Sequence, residues 1–152
     1  GTFEGGHRVP FLVRWPATVQ PKTKNHQTIC LTDLLATCAD IVNEPLPKNA
    51  AEDSLSFLPA LRGQAIDTSK RQGVVHHDFD GQFAIRKGKW KLLAKATEGL
   101  GTRRNFGNLP HLYDLQRDPG ETKNVANQHP EVVKELTALL EKYKREGRSV
   151  QR

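Results

Sequence analysis

Apolar residues follow two different spacings in the first part of the chain, and each spacing predicts a different element. Residues 9–15 are almost continuously apolar up to Pro16, which predicts a buried strand. Apolar residues then recur at three- and four-residue intervals, which predicts a helix over residues 32–43. Thr32 is placed to cap this helix, and Asp33 puts a negative charge in its first turn, where the helix dipole favours one. The predicted buried stripe comprises Leu31, Leu34, Leu35, Cys38, Ile41 and Val42.

From Gly73 onward the apolar pattern shortens to runs separated by turn residues. We predict strands over residues 74–77, 83–86, 89–93 and 111–115. The connections are typical of tight turns: Asp80-Gly81, Lys87-Gly88 and, after the fourth strand, Asp118-Pro119-Gly120. Three successive antiparallel strands with a fourth returning to them make a small four-stranded sheet.

The last predicted element is a helix over residues 130–146. Pro130 suits a first helical position, and Gly147 suits the residue after a helix end. Because neither this helix nor the sheet can bury its apolar side alone, the helix should cover one sheet face. Its apolar stripe comprises Val132, Val133, Leu136, Leu139, Leu140 and Tyr143.

The charge and the cysteine content of the chain argue against several classes of function. The net charge is +6, from 23 Lys and Arg against 17 Asp and Glu, but the basic residues are dispersed, and we expect neither nucleic acid nor membrane as a partner. No apolar run approaches the roughly 20 residues of a membrane span. Cys30 and Cys38 stand about 12 Å apart on a helix, beyond disulfide reach. Without a CxxC or Cys/His spacing a zinc site is not expected, and the redox compartment stays open.

The residues that could carry chemistry are few. The chain has no G-x-S-x-G, no H-E-x-x-H and no glycine-rich phosphate loop. His76-His77-Asp78 is the one polar cluster of catalytic residue types. Adjacent strand residues face opposite sides, so only one of the two histidines can reach a given site, and Asp78 would share the side of His76. Packed or edge histidines are the more common outcome of such a pattern. Asp78 and Asp80 could hold a cation, but the Asp80-Gly81 turn explains them better.

Three passages, in this order, resemble the sulfatase family. Residues 2–16 (TFEGGHRVPFLVRWP) resemble the segment that follows the family's active-site lysine. Residues 83–92 (FAIRKGKWKL) are similar to a hairpin of the family's C-terminal subdomain. Residues 112–115 (LYDL), followed by DPGE at 118–121 and by Asn124, resemble its late strand and turn. Together the passages cover essentially the whole chain and look closest to bacterial arylsulfatases or N-acetylgalactosamine-sulfatases.

The resemblance implies an α/β fold of the alkaline-phosphatase-like sulfatase type, of which this chain is the C-terminal portion. Residues 1–65 would be the end of the large α/β domain, with strand 9–15 and helix 32–43. Residues 66–152 would be the C-terminal subdomain, with an antiparallel sheet and helix 130–146. In the family this subdomain lines one side of the substrate cleft, so candidate contacts to a sulfated sugar or aryl sulfate are His76, His77, Arg103 and Arg104.

The resemblance also says what this chain lacks. A full sulfatase hydrolyses sulfate esters with a formylglycine made in a C/S-x-P/A-x-R motif, and with calcium held by Asp and Asn ligands. Neither Cys30 nor Cys38 fits that motif, and the family lysine would stand just before Gly1. We therefore assign no catalytic or metal-binding residue here, and expect no sulfatase activity from this stretch alone. By resemblance the parent enzyme is periplasmic or secreted; no signal segment opens this sequence.

Two alternatives stay open at this point. The chain could be a stand-alone, non-catalytic module that binds sulfated polysaccharide through the basic stretch 86–104. Salt-dependent retention on a sulfated-glycan column, lost on reversing Arg103 and Arg104, would favour that role. It could also be a gene fragment without a function of its own, in which case the exposed side of strand 9–15 would favour self-association.

Overall fold

The structure is a computed structural model that describes residues 1–79, 81–94 and 110–151. It divides into two compact units. One joins Gly1–Val9 to Gly73–Glu146, and the other joins residues 10–72 to the chain from Gly147 on. Compactness thus groups the first nine residues with the sheet. The division at residue 65 concerns the domains of a longer parent and stays a prediction.

Four α-helices lie in the described ranges: α1 (Glu4–His7), α2 (Asp33–Ile41), α3 (Leu58–Leu61) and α4 (Pro130–Glu146). The strands are β1 (Val74–His77), β2 (Phe83–Lys87), β3 (Trp90–Leu93) and β4 (His111–Asp114). They form one antiparallel sheet in the order β1-β2-β3-β4. The four predicted strands are confirmed to within one residue at their ends.

One face of the sheet is closed by α4. Ile85, Leu92 and Leu112 form a row across β2, β3 and β4, and they pack with three residues of the helix, namely Leu136, Leu140 and Tyr143. Helix α4 has the predicted bounds, and Gly147 follows it with φ +63°, the left-handed conformation that ends many helices.

The opposite face of the sheet is covered by residues 1–9, which we call the N-terminal strap. Here Ala84, Leu93 and Tyr113 form a second buried cluster. The ring of Phe3, from the strap, lies 6.0 Å from the ring of Tyr113. Sheet alternation places Arg86 and Lys91 on this same face.

The second unit is organised around Asp33 at the start of α2. This carboxylate accepts hydrogen bonds from the backbone N–H groups of Cys30 (2.9 Å) and Leu55 (3.0 Å). Both terminal nitrogens of Arg71 also donate to it, at 2.6 and 2.7 Å. One helix turn on, the Thr37 hydroxyl accepts from the backbone N–H of Phe57 at 3.0 Å. The chain therefore folds onto the polar side of α2.

Two predictions about this unit were wrong. The predicted buried stripe of α2 is largely exposed, Leu31 at 66% and Leu35 at 53%, because the buried side is the one that carries Asp33, Ala36 and Thr37. Thr32 precedes the helix without a side-chain capping bond; the Asp33 carboxylate binds the N-terminal backbone instead.

The predicted buried strand over residues 9–15 is also not formed. These residues have no strand partner within the described ranges, and Leu12 is 91% exposed. A strand exists only through backbone hydrogen bonds to a neighbour, so an apolar run without one stays irregular. The short apolar segment before Gly63 forms α3, and Gly63 follows it with φ +76°.

Candidate functional site

A buried ionic cluster lies between the N-terminal strap and the sheet. Lys91 of β3 is 0% exposed, and its Nζ lies 3.1 Å from Oε1 of Glu4 and 2.7 Å from Oε1 of Glu121. Sheet alternation turns Lys91 away from α4, because its neighbour Leu92 faces that helix. A fully buried ammonium is tolerated only when it is paired, and two carboxylates meet that need here.

The two carboxylates come from opposite ends of the chain. Glu4 lies in α1 of the strap, where its backbone N–H donates to Oε2 of Glu121 at 2.5 Å. Oε2 of Glu4 also lies 3.4 Å from Nη1 of Arg86 on β2. The cluster thereby joins the strap to β2, to β3 and to the turn after β4.

Glu121 is held by an unusual backbone conformation. It has φ +54°, in the left-handed region that costs a non-glycine residue about 1 kcal/mol or more. The turn before it is fixed by Asp118, whose carboxylate accepts from the Lys123 backbone N–H (2.8 Å) and the Thr122 hydroxyl (3.0 Å). The strained position is thus over-determined by local bonds, and it directs the Glu121 carboxylate under Lys91.

The positive charges of the cluster lower the pKa of Glu4. Burial disfavours its ionised form, but the hydrogen bond from Lys91 and the charges of Lys91 and Arg86 outweigh burial and lower the pKa of Glu4. Glu4 is therefore a carboxylate at neutral pH, as its pairing with Lys91 requires.

His76 lies beside the cluster and is partly buried. Its Nε2–H donates to the backbone carbonyl of Thr2 at 3.0 Å. Its ring stacks on that of His7, with ring centroids 3.8 Å apart and an interplanar angle of 21°. Burial is the largest influence on His76 and lowers its pKa to about 4, although the bond to Thr2 opposes the shift. His76 is therefore neutral at pH 7 and is engaged with the strap.

The other sequence-predicted site residues lie apart from His76 or outside the described ranges. His77 is exposed, and its Nδ1–H donates to the Asp78 backbone carbonyl at 2.9 Å. The Asp78 carboxylate accepts from the Gln82 backbone N–H at 2.9 Å, a turn role. Asp80, Arg103 and Arg104 lie outside the described residues, so substrate contacts by the two arginines stay predictions.

Sequence reasoning missed the ionic cluster itself. Lys91 stands on the buried side of an alternating strand, a position where a charged residue signals a buried partner. Glu4 and Glu121 each lie in a short motif, residues 2–16 and 118–121, that does not indicate burial. Nothing in their spacing, 117 residues apart, indicated that they share one site.

The described residues do not fit the metal or the nucleophile that the resemblance implies. Within residues 1–79, 81–94 and 110–151, no group of three or more His, Cys, Asp or Glu residues could hold a metal ion. Cys30 Sγ lies 3.0 Å from the Thr32 hydroxyl and 3.3 Å from Nη1 of Arg71, and burial raises the pKa of this thiol. A raised pKa is unfavourable for a nucleophile. No described helix has the length and apolar character needed to cross a bilayer.

Comparison with known proteins gives consistent results. Residues 2–146 match the family described as N-sulphoglucosamine sulphohydrolase, C-terminal. The N-acetylgalactosamine-6-O-sulfatase of Bacteroides thetaiotaomicron is 43% identical over 148 residues, which are 93% of this chain and 28% of that protein. Human arylsulfatase A is 33% identical over 159 residues, 91% of this chain and 31% of its own length.

A solved structure gives the same coverage. It comes from work on the metabolism of multiple glycosaminoglycans by Bacteroides thetaiotaomicron, and it superposes with a TM-score of 0.78 at 38% identity. The superposition covers 94% of this chain and 30% of that one, so the chain spans less than a third of the relatives it matches. The predicted sheet-and-helix fold of the alkaline-phosphatase-like sulfatases is confirmed. This chain belongs to the sulfatase family, and it corresponds to the family's C-terminal domain.

Proposed function

We propose that the chain is the C-terminal part of a sulfuric ester hydrolase of the arylsulfatase-like type, where it supplies scaffold and part of the substrate cleft. The observation that carries this proposal is the coverage of the relatives: almost the whole chain matches, but it matches only 28% of the N-acetylgalactosamine-6-O-sulfatase. The nucleophile, the formylglycine made from it and the calcium ligands would then belong to the rest of the protein, in the periplasm or outside the cell.

The exposed apolar residues of the second unit support the proposal that this chain packs against the rest of a larger protein. Soluble monomers rarely expose a large contiguous apolar surface, yet the exposed large hydrophobic residues here concentrate in two stretches of sequence. We call these stretches the apolar segments; they comprise Phe11, Leu12 and Val13, and Leu31, Leu34, Leu35, Ile41 and Val42. A stand-alone binding module has no need of them.

The substrate would be a sulfated sugar or an aryl sulfate. The name of the bacterial relative says that it acts on the 6-O-sulfate of N-acetylgalactosamine. We extend only this class of substrate, a sulfate ester, to the present chain. Of the proposed contacts, exposed His77 is available to a ligand, and Arg103 and Arg104 remain candidates. His76 would act through the strap, because its ring is already engaged there.

The alternative, a stand-alone module for sulfated polysaccharide, is not favoured by the described part of the basic stretch. Its four described cations each have a carboxylate partner: Arg86 and Lys91 pair with Glu4, Lys87 with Glu135 at 2.6 Å, and Lys89 with Asp114 at 2.9 Å. Little unpaired positive charge remains there for a polyanion. The alternative now depends on residues outside the described ranges.

A chimeric enzyme tests the proposal. We expect the Bacteroides thetaiotaomicron N-acetylgalactosamine-6-O-sulfatase to keep chelator-sensitive sulfate release when its matching 148-residue part is replaced by this chain. The relative truncated before that part, and this chain alone, should both release no sulfate. Sulfate release is measured by ion chromatography, and circular dichroism confirms folding. A folded but inactive chimera, or hydrolysis by this chain alone, would contradict the proposal.

The isolated chain should self-associate through its apolar segments. We expect sedimentation velocity to show concentration-dependent association that is reduced at least severalfold by Leu12→Lys together with Leu35→Lys, because each lysine replaces exposed apolar area with a hydrated charge. Gln116→Lys together with Asn127→Lys is the matched control, since this pair adds the same two charges at exposed polar positions. Equal effects of all these lysines would assign the change to net charge and remove the apolar segments from the explanation.

A further inference from the structure

The N-terminal strap is held on the sheet mainly by polar contacts. Thr2 is 1% exposed, and its hydroxyl lies 3.4 Å from Oε1 of Gln82 while its carbonyl accepts from His76. Glu4 is bound by Lys91 and by Arg86, and its backbone N–H donates to Glu121. The ring of Phe3 also packs against the ring of Tyr113.

Charge in this contact is balanced only while its histidines are neutral. Glu4 and Glu121 supply two negative charges, and Lys91 and Arg86 supply two positive ones. The Arg8 side chain, 4.0 Å from Glu4, is 72% exposed and screened by water. Each imidazolium formed here would therefore leave the site with excess positive charge.

The two stacked histidines respond differently to a proton. His76 already uses Nε2–H for the Thr2 carbonyl, so a second proton must bind at Nδ1, for which no described residue provides a carboxylate partner. His7 uses Nδ1–H for the Phe3 carbonyl, and its Nε2 lies 3.4 Å from Oε1 of Glu4. Glu4 favours a proton on His7, but burial and the charge of Lys91 outweigh it and lower the pKa of His7. A proton on His76 is opposed most by burial and also by the charges of His7 and Lys91, which Glu4 only partly offsets.

We propose that residues 1–9 are an acid-releasable strap, in which protonation of His76 detaches the strap from the sheet while the sheet and α4 stay folded. The direction follows from linkage. Burial lowers the pKa of His76 from 6.5 to about 4 in the attached state, so the detached state binds the proton more tightly. Attachment is therefore fully favourable above pH 6.5 and weakens as pH falls toward 4. At pH 4.5 this single proton shifts the equilibrium toward release by about 60-fold relative to pH 7.

Hydrogen exchange of the full chain tests this release. Three strap amides are hydrogen-bonded at neutral pH: Glu4 to Glu121, Gly6 to the Phe3 carbonyl at 2.8 Å and Arg8 to the Glu4 carbonyl at 2.9 Å. After correction for intrinsic exchange, protection in the peptide covering residues 1–9 should fall by about 60-fold between pH 7 and pH 4.5. Protection of α4 should stay constant, and its loss at the same pH would mean general acid unfolding and overturn the proposal.

Two variants separate His76 from other acid effects. His76→Gln keeps an amide N–H for the Thr2 carbonyl without a titrating group, so its strap should keep clearly more protection at pH 4.5 than that of the unmodified chain, with His7 accounting for the loss that remains. His77→Gln, on the same strand but exposed, should behave as the unmodified chain does. If His76→Gln is too unstable to measure, NMR titration of His76 in the unmodified chain gives the answer. A midpoint between about 4 and 6.5, at the pH where the strap amides lose protection, supports the proposal. Titration of His76 while the strap stays protected, or unchanged release in His76→Gln, overturns it.

Discussion

Replacing Lys91 by methionine should lower the free energy of unfolding by about 3–5 kcal/mol, because it leaves two buried carboxylates without their cation. Methionine fills the space of the lysine stem, so the loss is electrostatic and not a cavity effect. The Glu121 side chain is 2% exposed and that of Glu4 8% exposed, so water cannot replace the ammonium. Urea unfolding followed by circular dichroism measures the change.

Three comparisons identify the cause. Lys87→Met removes a pair with Glu135 that is about half exposed on each side, and should change stability by less than about 1 kcal/mol. Lys91→Met combined with Glu121→Gln should recover part of the loss, because one uncompensated charge is removed with the lysine. The difference from the unmodified chain should also narrow at acid pH: the pKa of Glu4 is lowered in the folded state, so its stabilising contribution is lost as pH falls through that pKa. Equal losses in Lys87→Met and Lys91→Met would contradict this account.

The sheet and α4 could be predicted from the sequence because their signals are local. The turn between β2 and β3 makes these strands neighbours; it is formed by Gly88 and Lys89, one residue later than predicted, and Gly88 has φ +57°, which favours glycine. The apolar stripe of α4 and the alternation of β2 and β3 then leave only one way to close a core. Paired strands lie close together in the sequence, so such a meander can be predicted without any knowledge of distant contacts.

The ionic cluster could not be predicted because its partners are distant in sequence. Glu4 and Lys91 are 87 residues apart, and Glu4 and Glu121 are 117 apart. The same limit explains α2. Its apolar periodicity marks a side that is exposed here, because the buried side is the one on which Asp33 pairs with Arg71, 38 residues later in the chain. A hydrophobic pattern indicates which side of a helix is apolar, but it does not identify the residues that pack against the helix.

The roles of His76 and His77 could be predicted only in part from the sequence. Strand alternation correctly separated His76 from His77, and only the contacts of the strap reveal that His76 binds a backbone carbonyl and a second ring. His7 carried no signal of its own in the sequence, because it lies in a motif dominated by glycine and charge. The resemblance to sulfatases came from ordered motifs, and it identified the family without identifying this site.

Replacing Asp33 by asparagine should destabilise the second unit by about 3–5 kcal/mol. Asparagine keeps the shape, but it has one acceptor oxygen where the carboxylate has two, and its amide group would face a donor. Asp33 accepts four hydrogen bonds, two of them from Arg71, whose side chain is 4% exposed. The variant therefore buries an unpaired guanidinium and at least one unpaired backbone N–H. Thermal unfolding should shift by about 10 °C or more for a chain of this size.

A double-mutant cycle with Arg71 distinguishes the ion pair from the backbone bonds. Arg71→Met alone should be strongly destabilising, because it leaves the Asp33 charge buried. The double variant Asp33→Asn with Arg71→Met should cost less than the sum of the two single variants, with a coupling energy of about 1–3 kcal/mol. Asp40→Asn, at an exposed position of the same helix, should change stability by less than about 0.5 kcal/mol. Additive single effects would mean that the backbone N–H groups of Cys30 and Leu55, and not Arg71, account for the importance of Asp33.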